Sequence, residues 1–294
     1  MNRKSGWGVA GAAVGLAAGF ALLIALLAGT AQAQMQSQQQ QQQKDNKPSI
    51  LPAKPPPVPP PPPPVSREEE DAYKALVALK PANTAVVITQ GEAFLGKYPA
   101  SRYRPGVYTR LVAAYLSTNQ VEKMLDRGEK AIAEDPDNVD VLALMSTIIP
   151  RKVDPKGLDA DQNLAKAEKY ARHALELAAA SQKPEGVADE AFTRAKNERL
   201  GMAHSGLGLV YYMKGRTADS VAEFAMATKL DPMPDPLDYF LLGEGAARLK
   251  KYSDAVAAFD RCAETQWAWQ DRCKKFSDDV KKMAAAAPPA SAKP

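Results

Sequence analysis

The chain has 294 residues, 45% apolar and 24% charged, enough for one or two domains with a sizeable core. Its net charge of +4 includes Arg3 and Lys4, so the remainder is close to balanced and gives no support for a nucleic-acid partner. Two cysteines and two histidines in all exclude zinc fingers, cysteine-rich scaffolds and multi-histidine metal centres.

The first element is an export signal. Met1 to Lys4 is a short positive stretch, followed by Gly, Ala, Leu, Val and Phe without a charge as far as Thr30. Ala31-Gln32-Ala33 then fits the small-x-small rule for signal peptidase, which places cleavage after Ala33 and sends the rest across the membrane. Trp7 to Ala28 is also 22 uncharged residues, long enough to span a bilayer if uncut, so a retained inner-membrane anchor is the alternative. Thr30 stands where a lipoprotein needs its cysteine, which argues against a lipid anchor.

Residues 34–66 read as a disordered linker. Gln34 to Gln43 is nearly pure glutamine, which buries too little apolar area to offset the entropy of ordering. Eleven prolines fall between Pro48 and Pro64, and Pro55 to Pro64 is proline except for Val58. A polyproline helix rises about 3.1 Å per residue, so this tract spans roughly 30 Å as a semi-rigid tether.

From Arg67 onward apolar and charged residues alternate with a helical period and no strand pattern appears. Within residues 201–234, Leu207, Gly208, Tyr211, Gly215, Phe224, Ala227 and Pro232 stand at positions 7, 8, 11, 15, 24, 27 and 32. Within residues 236–269, Tyr239, Leu242, Gly243, Ala246, Ala255, Phe259 and Cys262 stand at 4, 7, 8, 11, 20, 24 and 27. Small residues at 8, 20 and 27 allow two helices to approach closely, an aromatic at 24 fills the gap, and proline at 32 ends the second helix.

This pattern resembles the tetratricopeptide repeat (TPR), a 34-residue helix–turn–helix unit, of the kind found in exported bacterial envelope proteins. The resemblance covers about residues 67–285 and is strong over Gly201 to Thr265. It implies an all-α, right-handed α-solenoid, in which each unit stacks on its neighbours. A weaker unit runs from Pro105 to about Glu134, where Gly128 takes the place of the aromatic at position 24. A third unit reads as helices over 137–149 and 163–180, separated by a loop at 150–162. Arg67 to Lys80 and Thr84 to Lys97 form a degenerate first pair, Ala191 to Asn197 extends the fourth unit's first helix, and residues 270–285 read as a charged capping helix. Residues 286–294 are a frayed tail.

No catalytic constellation is legible. His204 falls at position 4 of its unit, where a ring packs between the two helices, and His173 has no cysteine or histidine near it in sequence. Asp159-Ala-Asp161-Gln-Asn163 opens like a calcium loop, but Leu164 and Tyr170 occupy its sixth and twelfth positions, so helix capping is the better reading. No enzyme activity, cofactor or metal is expected. Cys262 and Cys273 would lie about 16 Å apart on one continuous helix, beyond disulfide reach. Bridging them requires the chain to turn between Thr265 and Gln270; otherwise they are two buried thiols.

The TPR resemblance implies a concave groove lined by the first helix of each unit, binding a protein or peptide. Its groove positions correspond here to Met202, Ser205, Leu209, Tyr212 and Met213, then Leu237, Phe240, Glu244, Ala247 and Arg248. The family's carboxylate clamp needs lysine and asparagine where this chain has Ser205 and Leu209, then Phe240 and Glu244, so it is absent. A largely apolar groove suited to an amphipathic helix or extended hydrophobic segment is expected. The function so implied is that of an exported scaffold in the bacterial envelope or periplasm. The alternative is a structural or assembly subunit that associates with copies of itself or belongs to a larger envelope complex. Membrane contact is expected only through the N-terminal segment.

Overall fold

The computed structural model describes residues 65–80 and 82–286, and the expectations for the signal segment, the linker to residue 64 and the tail beyond residue 286 lie outside them. Eleven helices and no strand occur among the described residues. They are α1 (Arg67–Ala78), α2 (Thr84–Lys97), α3 (Arg104–Ser117), α4 (Val121–Glu134), α5 (Val139–Lys152), α6 (Ala160–Ala180), α7 (Asp189–Met213), α8 (Thr217–Leu230), α9 (Pro236–Arg248), α10 (Tyr252–Glu264) and α11 (Gln270–Ala286). Each helix packs on the next along the chain, and α5 also packs on α7, so the pairs stack as an α-solenoid closed at its C-terminal end by α11.

The turn inside a unit repeats closely. In units two, four and five it is three residues long, and its middle residue, Asn119, Gly215 or Lys250, has φ of 56°, 70° or 59°. Each is position 15 of its repeat. The following amide donates back to the helix, as Gln120 to Tyr115, Arg216 to Tyr211 and Lys251 to Ala246, at 2.8–2.9 Å. This is a Schellman closure, which needs one left-handed residue and satisfies carbonyls that a helix end leaves open. Only unit four uses glycine there; asparagine tolerates the conformation, and lysine carries its steric cost.

Close helix approach follows the small residues. A β-carbon on Gly208 would lie 2.7 Å from the Phe224 ring, and one on Gly243 2.9 Å from Phe259. Both rings are fully buried. The weak second unit fills the same space differently. Its position 24 is Gly128, and Met145 from α5 packs over it, fully buried. A glycine there is thus half of a packed pair, and the partner belongs to the next unit.

The third unit departs from the expected boundaries. The first helix continues through Pro150 to Lys152 and the second begins at Ala160, so the loop is 153–159 rather than 150–162. Proline is tolerated because it falls in the last turn, where the missing N–H breaks a single ladder bond. Asp159 occupies the N-cap of α6, but its carboxylate accepts from the Asn163 side-chain amide at 2.8 Å rather than capping the backbone.

The fourth unit's first helix is lengthened to 25 residues. Its added N-terminal turns are tied down by Lys196 Nζ donating to the Ala179 carbonyl at 2.8 Å and by Arg199 on Asp140 at 2.6 Å. At the other end, the chain turns between α10 and α11 and brings Cys262 and Cys273 together, with α-carbons 5.8 Å apart and a disulfide joining them. Gln270 Nε2 reaches back to the Ala263 carbonyl at 2.8 Å and Ser277 Oγ donates to Asp260 at 2.5 Å, so α11 folds onto α10. Phe240, Phe259, Phe276 and Trp269 meet edge to face or tilted beneath it, with centroids 5.3–5.7 Å apart.

Candidate functional site

The residues projected from the two strongest repeats do not form one open surface. Ser205, Leu209 and Phe240 are buried at 4–6% exposure. Ser205 Oγ donates to Asp238 at 2.7 Å, Leu209 joins the core of Phe224 and Phe240, and Phe240 lies among Phe259, Trp269 and Phe276. These side chains are consumed by stacking unit four on unit five and on the cap. Tyr212, Glu244 and Arg248 close on one another: the Tyr212 hydroxyl donates to Glu244 at 3.2 Å, and Arg248 donates to the same carboxylate at 2.5 Å. Met213, Leu237 and Ala247 are half-buried packing residues. Of the set, Met202, partly buried, and Ser205, buried, line an open groove.

That groove lies earlier in the stack, where the first helices α3, α5 and α7 come side by side. Two adjoining depressions of about 360 and 450 Å³ share Leu116, Leu144, Glu198 and Met202. Ile148 continues the apolar floor, and the added turns of α7 form one wall. The far end is built by the turn between α8 and α9, which contributes Asp231, Pro232, Met233 and Asp235, and by Asp238 in the first turn of α9. The opening thus draws on the weaker second and third units through α3 and α5, and on the fourth and fifth through α7, the turn before α9 and Asp238. The sequence signal available for it was the helical extension before Gly201, which lengthens one wall.

Electrostatics divide the groove. Arg151 is bound by Asp235 at 2.7 Å and Arg199 by Asp140 at 2.6 Å. Asp231, Asp238 and Glu198 have no basic side chain within ion-pair distance among the described residues. Burial raises the Asp238 carboxyl to about 7; the Ser205 hydrogen bond opposes this, Asp235 and Asp231 add to it, and Arg151 opposes it. Burial also raises Asp231, against the Met233 amide it accepts from.

A larger cleft of about 730 Å³ lies between α4 and α6, next to His173. Much of its polar rim is paired: His173 with Asp137 at 2.7 Å, the Tyr170 hydroxyl with Glu129 at 2.8 Å, and Glu168 with Arg172 and Lys214. His204 is partly buried between α7 and α8, its Nδ1 2.7 Å from Glu223. No group of three His, Cys, Asp or Glu side chains is placed to hold a metal ion among the described residues. No described helix is long and apolar enough to cross a membrane.

The chain matches no family model and no curated protein. Solved structures that it resembles include a thermophilic TPR protein of Thermus thermophilus, at 16% identity and a TM-score of 0.45, over 73% of this chain and 99% of that one. A tetratricopeptide repeat protein of Parabacteroides merdae is similar at 14% identity and a TM-score of 0.29, over 74% of this chain and all of that one.

Proposed function

We propose that this protein is a non-enzymatic interaction scaffold that holds a protein segment along the face formed by α3, α5 and α7. The observation that carries the reading is the groove itself. An apolar floor of Leu116, Leu144, Ile148 and Met202 runs towards Asp231 and Asp238, which have no basic side chain within ion-pair distance among the described residues, so both apolar area and charge are left for a partner to cover. The N-terminal sequence supports an exported protein working in the bacterial envelope, either released after Ala33 or held by an uncut anchor.

The test is site-specific photocrosslinking of the full-length protein in cells. A photoreactive residue at Met202 or Leu116 is to capture a defined partner, and one at Lys282 on the outer side of α11 is not. Equal capture from both positions overturns the groove as the working surface. The assembly reading draws on Val77 and Val86, each 43% exposed on the first unit. Sedimentation across a hundredfold range of concentration separates the two: a mass that rises with concentration and falls with Val77→Ser and Val86→Ser supports self-association.

A further inference from the structure

The partner's chemistry follows from what the groove leaves uncompensated. We propose that the groove takes a peptide segment carrying aliphatic side chains and a lysine or arginine. The aliphatic groups lie over Leu116, Leu144, Ile148 and Met202, and the cation ends between Asp231 and Asp238. This rests on the reading of the groove as the binding surface.

The far depression is lined by four carboxylates, Glu198, Asp231, Asp235 and Asp238, against two guanidinium groups, Arg151 and Arg194. Arg151 is committed to Asp235, and Arg194 is exposed a turn away from Glu198 on α7. Asp238 is the telling residue. It is 3% exposed, and its one side-chain donor among the described residues is the neutral hydroxyl of Ser205, at 2.7 Å. A buried carboxylate is costly unless a charge or several donors compensate it. The groups facing it are Ser205 from α7, Arg151 from α5, Asp231 and Asp235 from the turn before α9. Two of those carboxylates repel the charge, and the one cation among them is already paired. A purely apolar segment would cover Asp231 and Asp238 without compensation, and an acidic one would add repulsion. A cation supplied by the partner compensates both carboxylates at once. It also competes with the proton that burial favours on Asp238, so binding near neutral pH is accompanied by proton release.

The probe is a displayed library of random twelve-residue peptides, selected on the full-length protein at low salt. Ala195→Trp fills the groove without altering its charge, and Asp231→Asn with Asp238→Asn removes the acidic end isosterically; circular dichroism and melting check that each variant folds. The expected result is enrichment of peptides that combine leucine, isoleucine or methionine with lysine or arginine. The best of these, made synthetically, is to lose at least tenfold in affinity on the double asparagine variant and all measurable binding on Ala195→Trp. Calorimetry in buffers of different ionisation enthalpy is to show proton release that disappears with Asp238→Asn. Peptides that need the open groove but carry no basic residue, or bind the asparagine variant equally, overturn the proposal and leave the groove reading standing. Selection of no peptide sensitive to Ala195→Trp overturns both.

Discussion

Met145 Sδ stands where a β-carbon on Gly128 would fall, with Met145 Cε and Cγ at 3.0 and 3.1 Å from that position. The pair joins α4 to α5 across the boundary of units two and three, and Met145 has no exposed surface. Gly128→Ala gains about 1 kcal/mol of helix propensity. The overlap in a closed core costs about 1–3 kcal/mol, so a net loss is expected. Met145→Ala alone is expected to cost about 2–4 kcal/mol by opening a cavity. The two together are expected to cost less than their sum by at least about 1 kcal/mol, because each relieves the other. Chemical unfolding of the four proteins of the cycle checks this; simple additivity sinks the packing argument.

The bridge between Cys262 and Cys273 closes a short loop around Trp267 and Trp269 and holds α11 on α10. A loop of about this length stabilises by about 3 kcal/mol in the chain-entropy account. Reduction, or Cys262→Ala with Cys273→Ala, is expected to expose Trp269 further and to lower the melting temperature. Mass spectrometry under non-reducing conditions is to show the loss of two hydrogens in protein prepared from an oxidising compartment. Unchanged melting with and without reductant shows that the aromatic cluster holds α11 unaided.

The stack of helix pairs was legible because Gly208 with Phe224, and Gly243 with Phe259, each place a small and a large residue at fixed offsets in one unit. Gly128 hid the same logic, since the atom that fills its space comes from Met145 in the next unit, and a repeat read one unit at a time has no place for it. The burial of several projected groove residues was hidden for a related reason. Repeat positions say which residues face inward along the first helices, but Ser205, Leu209 and Phe240 are covered by Asp238, Phe224 and Phe276 from neighbouring helices. Strong repeat matching marks where units pack on one another, and it does not report which of those first-helix residues a neighbour covers. The turn between Thr265 and Gln270 was readable only as a condition for the disulfide, and the structure supplies that turn.

Glu92 ties three helices together. It accepts from Arg127 on α4 through two bonds of 2.7 and 2.8 Å and from the Tyr115 hydroxyl on α3 at 2.8 Å. Burial pushes its carboxyl upward, but the hydrogen bonds from Arg127 and Tyr115 outweigh this and hold it below its ordinary value near 4.5. Burial and the same carboxylate raise Tyr115 to about 12. A depressed carboxyl stabilises the fold above its ordinary pKa and loses that contribution as pH falls through the lowered value. Glu92→Gln is therefore expected to destabilise at pH 7, by about 1 kcal/mol for a partly exposed charge-assisted network, and to differ less from wild type near pH 3. Urea midpoints at the two pH values check it; an equal deficit at both removes the ionic account.

Asp238 predicts the opposite sign. Its folded value near 7 lies above the ordinary 3.8, so the folded protein binds this proton more tightly than the unfolded chain between those limits. Stability from this group is fully present below pH 3.8 and falls as pH rises towards 7, at up to about 1.4 kcal/mol per unit. Asp231, raised by burial as well, adds in the same direction. Asp238→Asn keeps an acceptor for Ser205 and carries no charge, so it is expected to flatten the decline between pH 4 and 7. It is then expected to be more stable than wild type at pH 7.5, where the native carboxylate is charged, buried and without a basic side chain in ion-pair distance among the described residues. Unfolding free energies at pH 4.5, 5.5, 6.5 and 7.5 check the slope. A wild type whose stability rises over that range, with the asparagine variant following in parallel, means that Asp238 is already ionised in the folded protein. The cation that the proposal takes from the partner would then have to be supplied from within the chain.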